Sequence, residues 1–490
     1  MNRILIIAPH YPPSNLAAVH RTRLFAQHLP SFGWDPVILT VDEKYYEEEL
    51  DWELHKLIPI SQRIVKVNAF KVRKPRLIGD IGLRAFFQLR KKALSLLQTE
   101  KFDFLYIPIP SFYTALLGPN LHKKTGIQYG IDYIDPWVHQ FPGSEKLFSR
   151  HWFSTQLAKL LEPIAVKHAS LITGVSEGYY LPVLERNPHL KNNVITAAMP
   201  YGGEEGDHEY IRRQMSDVRS QMTDVRNQTS DVRRQESGGS DQISDDRGQN
   251  FLKTSSTSST TSTSSTPSTF KFVYAGAMLP KAYKPLEKIF EALASLQPPQ
   301  PLQLLKLIST LPIRASHFRD LRLQPPQPLQ LQFIGTLGTI KPLAEKYGLF
   351  GKTVFEHPNR MPYLDVLKEL DQADGIFILG STEPHYTPSK VYQAVLSQKP
   401  ILAILHEQSS AVKVLRESNA GIVITMNGEE DIVSLPIRFL EGLRQFQEFQ
   451  HSFNPNKINK DAFDQYSAKA VTAKLVEKLD EIVSLSPRLV

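Results

Sequence analysis

Residues 375–405 constrain the fold of this chain more tightly than any other stretch. Gly375-Ile-Phe-Ile-Leu-Gly380 is an unbroken apolar run, the pattern of a strand buried on both faces. Thr387 then offers a hydroxyl N-cap, and Pro388 stands where a first helical residue needs no N–H. A helix follows through Val391-Tyr-Gln-Ala-Val-Leu396, and Lys399-Pro400 leads into a second apolar strand, Ile401-Leu-Ala-Ile-Leu405. At such a helix start the amides of Ser389 and Lys390 are expected to point outward, with the Lys390 ammonium beside them. That arrangement suits a phosphate or diphosphate. Strand, anion-facing helix start and strand together make a nucleotide-binding unit.

The same alternation runs through most of the 490 residues, which leave room for two domains of ordinary size. Strands are expected at 4–8, 36–41, 64–67, 102–109, 127–133, 171–175 and 194–198. A second set falls at 270–276, 331–334, 353–355, 375–379, 401–405 and 421–425. Helices lie between them, notably 17–31, 83–97 and 146–168. The first carries Gly33 beyond its end, and the second has apolar residues at 83, 86, 87, 94 and 97. This implies α/β architecture, two doubly wound parallel-sheet domains with helices on both faces. The first domain spans 1–203 and the second 270–466. The amphipathic helix 467–485 bears Ala470, Val471, Leu475, Leu479 and Ile482 on one face. It follows a completed sheet, so residues 467–490 are expected to cross back to the first domain.

Two insertions interrupt the pattern. Residues 214–234 hold three tandem heptads built on Asp-Val-Arg, and a Ser/Thr tract runs from 254 to 269. Segments this polar bury too little apolar surface to offset ordering entropy, so 204–269 is expected to be disordered. Leu-Gln-Pro-Pro-Gln-Pro-Leu-Gln-Leu occurs at 296–304 and again at 323–331. It brackets an inserted surface loop, 297–324, with polyproline arms.

Composition excludes several chemistries. There are no cysteines, hence no disulfides, thiolate metal sites, iron–sulfur clusters or Cys nucleophile, which fits a reducing compartment. The net charge of +7 is modest for this length and does not argue for nucleic acid. Neither Asp-x-Asp nor His-Glu-x-x-His occurs, so no metal site is expected. No Gly-x-Gly-x-x-Gly follows the first strand, which argues against a dinucleotide cofactor. The N-terminal apolar run is too short for a signal-peptide core, and no run approaches the ~20 apolar residues of a membrane span. The chain reads as cytoplasmic.

The motifs in order resemble the two-domain GT-B glycosyltransferases. The resemblance is nearest to glycosyltransferase family four, the group 1 retaining enzymes, and to members that build bacterial surface polysaccharides. It rests on Pro12-Pro13 and Arg21, Gly33-Trp-Asp-Pro-Val37, Asp132-Tyr-Ile-Asp-Pro-Trp137, Val175-Ser-Glu177 and Pro200-Tyr-Gly202. In the second domain it rests on Tyr274-Ala-Gly276 and Pro388-Ser-Lys390 through Lys399-Pro400. It covers nearly everything outside the insertions. It implies two Rossmann-like domains facing across a cleft. The implied reaction is transfer from a nucleotide-diphosphate-sugar donor to a glycan or lipid-linked acceptor, with retention and the donor as substrate rather than cofactor.

Donor contacts are then expected from Ser389, Lys390, Gly276, Gln393, His385 and Glu383, with Lys281 or Lys284 on the diphosphate. The family's paired glutamates fall at His385 and Gln393. A neutral Gln on the ribose hydroxyls makes a bond of roughly half the strength of a charge-assisted one. Ala277 and Ala282 stand where the family tends to carry Arg and Lys. These departures motivate an alternative, a non-catalytic relative that binds nucleotide sugar or acts as a scaffold subunit. Asp135 and Trp137 are candidates for sugar contacts, one bonding hydroxyls and the other stacking on a ring. His10, Tyr11 and Arg21 lie at or just beyond the first strand's tip, where open parallel sheets bind ligands. No residue is assigned as catalytic base. The basic segment 63–92 suggests peripheral contact with anionic headgroups of the inner-membrane surface.

Overall fold

This computed structural model describes residues 1–72, 79–138, 146–217, 220, 269–297, 328–384 and 386–485. Two parallel sheets form its frame. The first has seven strands in the order β3-β2-β1-β4-β5-β6-β7. These are Asn2–Ile7 (β1), Trp34–Val41 (β2), Arg63–Val67 (β3), Phe104–Ile109 (β4), Tyr129–Tyr133 (β5), Leu171–Gly174 (β6) and Ile195–Ala198 (β7). The second has six in the order β10-β9-β8-β11-β12-β13. They are Phe270–Ala275 (β8), Leu329–Ile334 (β9), Val354–His357 (β10), Gly375–Leu379 (β11), Ile401–His406 (β12) and Gly421–Met426 (β13). Central strands are continuous apolar runs because helices cover both faces, leaving no solvent side to alternate with. In each sheet the strand order reverses once, between β1 and β4 and between β8 and β11. Crevices open there at the carboxyl ends of the strands.

The helices mostly follow the expected spans. Helix Ala17–His28 passes into a 3-10 turn, Leu29–Phe32, which Gly33 ends at φ 82°. The expected helix 83–97 breaks at Ala85, and its second part, Phe86–Thr99, buries Leu89, Ala93 and Leu96 while Phe87 faces water.

The expected disorder from 204 onward is overturned for its first turns. Residues 205–217 are helical and docked. Ile211 is fully buried in the second domain's core. Arg23, from the first domain, forms a forked ion pair with Asp207, with contacts of 2.5 and 3.1 Å. Arg212 donates to Asp371 at 2.8 Å and to the Leu396 carbonyl at 2.9 Å. The heptads beyond 220 and most of the loop 297–324 lie outside the described residues.

The chain passes between the sheets twice, and the two passages are paired. Gly203 N–H donates to Tyr466 O at 2.9 Å, and Ala468 N–H donates to Gly203 O at 2.7 Å. Gly202 has φ 83°, and a Cβ there would meet the Ala468 backbone at 3.0 Å, so the crossing needs glycine. Helix Ala468–Leu485 then packs Val471, Leu475, Leu479 and Ile482 against Ile4, Ile6, Phe25 and Trp34 of the first domain. Trp34 Nε1–H donates to Asp480 at 2.9 Å.

Candidate functional site

A cavity of about 230 Å³ lies where the two switch points face one another. From the first domain it is lined by the start of helix Ala17–His28, including His20 and Arg21, and by Tyr201-Gly202. From the second come Ala275-Gly276-Ala277 after β8, Arg360 to Tyr363, and Ser389, Lys390 and Gln393.

Lys390 dominates its chemistry. Its Nζ is sealed from water, has no hydrogen-bond partner among the described residues and sits 3.5 Å from the centre of the Tyr274 ring. A Cβ on Gly276, which has φ 119°, would come within 3.3 Å of that nitrogen, so the glycine gives the amine its space. Desolvation lowers the amine's pKa to about 7. A buried amine set against an aromatic face, with no hydrogen bond among the described residues, has unused capacity for an anion.

The rest of the second-domain start differs from the expected cap. Helix Lys390–Leu396 begins two residues later, with Ser389 at its N-cap position and no side-chain cap bond. Thr387 is buried and its hydroxyl is 2.7 Å from that of Ser410.

Beside the cavity is a group of acids and phenols drawn from both domains. Asp135 follows β5, is open to cleft water yet walled by protein, and its carboxyl pKa is raised by that desolvation. Burial raises the phenols of Tyr179, Tyr201 and Tyr386 well above the usual tyrosine range, and all three feel the Asp135 charge. Tyr179 also hydrogen-bonds the Thr387 backbone, joining the domains. Glu383 acts on Tyr179 and Tyr386 from the other side.

His20 lines the cavity, with its ring 4.3 Å from that of Tyr363 and Nε2 2.8 Å from Asn15 Oδ1. Burial and then the Arg23 charge lower its pKa to about 3, so it is a neutral imidazole with Nδ1 unpartnered.

No protein-family model matches the chain, and no curated protein does. Solved structures do, over nearly its whole length. HepE from Anabaena, in complex with UDP and glucose, is 12% identical at a TM-score of 0.54, covering 98% of this chain and 100% of that one. Sucrose-phosphate synthase from Thermosynechococcus elongatus is 12% identical at 0.57, covering 99% and 100%. Trehalose-6-phosphate synthase OtsA is 10% identical at 0.56, with the same coverage. At this identity the likeness concerns the fold.

The chain has the GT-B fold.

Within this GT-B frame the residues singled out in the sequence separate. Ser389, Lys390, Gly276 and Gln393 converge on the cavity. Gln393 is already engaged, however: its Oε1 is 3.0 Å from His208 Nε2, while His208 Nδ1 is 3.0 Å from Asp371. That partner lies on helix 205–217, which the repeats that follow it had masked. Glu383 pairs with Lys281 at 3.3 Å, so each neutralises the other. Lys284 is corrected: it turns to the surface and binds Glu429 at 2.6 Å. His385 lies outside the described residues.

Four first-domain candidates are buried or occupied by other partners. Trp137 is buried, stacked on Phe112 at 5.9 Å and 5°, and presents no face to a sugar. Arg21 reaches the cavity wall, but its guanidinium is spent on Asp132, at 2.6 and 2.9 Å, and on the carbonyls of Met199 and Pro200. A buried arginine would otherwise lack partners, and Asp132 of the Asp-Tyr-Ile-Asp-Pro-Trp motif supplies them. Tyr11 is buried away from the cleft lining, and His10 binds Glu48 at 2.8 Å.

Several cations of the basic segment 63–92 have partners: Arg63 and Lys66 in exposed surface pairs, Arg84 in a buried position. Arg63 pairs with Glu100, Lys66 with Glu43, Arg84 with the Phe70 and Tyr45 carbonyls, and Arg90 with Asn120. Residues 73–78 lie outside the description. Among the described residues no helix is long and apolar enough to cross a membrane.

Tyr179, Tyr386 and His20 were not singled out from sequence. A single tyrosine or histidine carries no periodic signal; Tyr179 and Tyr386 come together only when the domains meet, and His20 lies against Tyr363 of the second domain.

Proposed function

We propose that this chain is a retaining glycosyltransferase, transferring a hexose-like sugar from a nucleotide-diphosphate sugar to a glycan or lipid-linked acceptor in cell-surface polysaccharide synthesis. The carrying observation is Lys390, a partnerless buried amine in the interdomain cavity. It would meet the diphosphate, and its attraction would grow as the leaving group gains charge, which is where such a contact accelerates transfer. The donor is a substrate, and the reading assigns its negative charge to protein groups without a metal.

The acids and phenols around Asp135 and Glu383 suit a sugar's hydroxyls. Carboxylates accept hydrogen bonds, whereas phenols can both donate and accept. HepE, the GT-B neighbour crystallised with UDP and glucose, supports the same donor class. The reading includes work at the cytoplasmic face of a membrane.

A second reading, a GT-B relative that binds the donor without turning it over, is favoured by the engagement of Gln393 by His208 and of Lys281 by Glu383.

Calorimetry with UDP, GDP, ADP and CMP identifies the base. Lys390→Ala should weaken the best diphosphate by about ten- to a hundred-fold, the worth of a charge-assisted contact of ~1.5–3 kcal/mol, and leave the nucleoside unaffected. Equal affinity in wild type and variant would sink the donor site. Release of sugar or transfer from the cognate donor then separates enzyme from binding relative.

A further inference from the structure

Helix Arg150–Val166, between β5 and β6, has apolar residues on two opposite faces. Inward, Ala158, Ala165 and Val166 join the first domain's core. Outward, Phe153, Leu157, Leu160 and Ile164 recur at helical spacing along one stripe. Leu147 and Phe148 extend the stripe beyond the helix N-terminus. Exposure along it runs from 40% at Leu157 to 75% at Phe148. An exposed apolar stripe of this length is the kind of patch that marks a docking surface.

Among the described residues of 146–168 the exposed charges are of one sign. Lys146, Lys159 and Lys167 are exposed. The only carboxylate in 146–168 is Glu162, which is buried and bonded to Arg186 at 2.8 Å. At the far end His168 stacks on His122 at 5.6 Å, bringing alongside the exposed Lys123 and Lys124 of helix Leu117–Thr125. Apolar stripe and cationic border together complement a bilayer, whose acyl boundary takes up the ring and leucine side chains while anionic headgroups meet the ammonium groups. A second copy of the chain fits poorly, since a twofold contact on this stripe would set one copy's lysines against the other's.

We infer that the outward face of helix Arg150–Val166 is a membrane-docking surface for anionic phospholipid. In a parallel sheet the helix after a strand starts at that strand's carboxyl end. Phe148 and the first helical turn therefore lie on the side where β5 delivers Asp135 to the cleft. A bilayer on this surface would sit beside the cleft mouth, within reach of a lipid-linked acceptor. The surface is argued from exposure and charge alone, and it does not depend on the donor reading.

The test is co-sedimentation of the full chain with vesicles of phosphatidylcholine, with and without phosphatidylglycerol. Binding is expected to the anionic vesicles and to weaken with salt. Phe153→Asp with Leu160→Asp, and separately Lys159→Glu with Lys167→Glu, should each lower partitioning by about tenfold or more. If the apolar pair melts early, the lysine pair, both exposed, carries the test. Three results would overturn the inference: no anionic-vesicle binding by wild type, unchanged binding by the variants, or a wild-type dimer that the apolar pair converts to monomer. UDP binding is measured in parallel. Its absence in wild type would count against the donor site and leave the vesicle result standing.

Discussion

At the scale of single residues, Lys390 makes a prediction that a surface lysine would not. Unfolded, its amine titrates near the model-peptide value of 10.5, while in the empty folded cavity desolvation brings it to about 7. Between those values the unfolded chain holds a proton that the folded chain lacks. Stability from this group therefore rises with pH across that window, and below it the buried ammonium opposes folding. A bound diphosphate reverses the balance by favouring the charged form. At about pH 8.5, UDP binding should therefore take up close to one proton, and near pH 6 far less. Calorimetry in two buffers of different ionisation enthalpy reads this directly, and Lys390→Met should abolish it. No uptake at the higher pH would mean that the amine does not meet the phosphates. The sequence carried the lysine and its place beside a helix start, but its loss of solvent depends on Tyr274 and Gly276, over a hundred residues away.

At the scale of elements, helix 205–217 was the least legible part of the described chain. Its sequence runs straight into the polar heptads, and an average over the segment hides its buried residues, Asp207, His208 and Ile211. What orders it is tertiary: Ile211 in the second core, Asp207 on Arg23, and His208 between Asp371 and Gln393. Ile211→Ala should lower the unfolding free energy by about 2–5 kcal/mol, while Arg213→Ala, on the exposed side, should change it little. Denaturant titration distinguishes them, and equal stability of both variants would mean that the helix is not docked in solution. The strands are the opposite case. Their apolar runs were read correctly to within about two residues because a strand buried on both faces must be apolar throughout.

At the scale of the whole molecule, helix Ala468–Leu485 belongs by sequence to the second half and by packing to the first. Leu475 and Leu479 are fully buried against the β1 side of the first sheet. Leu479→Ala should cost about 2–5 kcal/mol. The accompanying loss of amide-exchange protection should fall on β1 and β4 rather than on β8 and β11. Protection lost from β8 and β11 instead would refute the crossing. The same passage holds the domains together, since Gly203 pairs with Tyr466 and Ala468 at the waist of the molecule.

The sequence by itself determined the two parallel sheets, because strand and helix periodicities are local and repeat along the chain. It also determined that the second sheet's helix start would carry a serine and a lysine, with a glutamine at 393. Only the tertiary structure decided which of these groups is free to act. Arg21, Trp137 and Lys284 looked as available as Lys390 until Asp132, Phe112 and Glu429 were found against them. The physical reason is that a polar or aromatic side chain is spent on whichever partner the fold brings within hydrogen-bond or stacking distance. In this chain those partners lie far off in sequence: the Met199 carbonyl on Arg21 is 178 residues away, and Asp480 on Trp34 is 446.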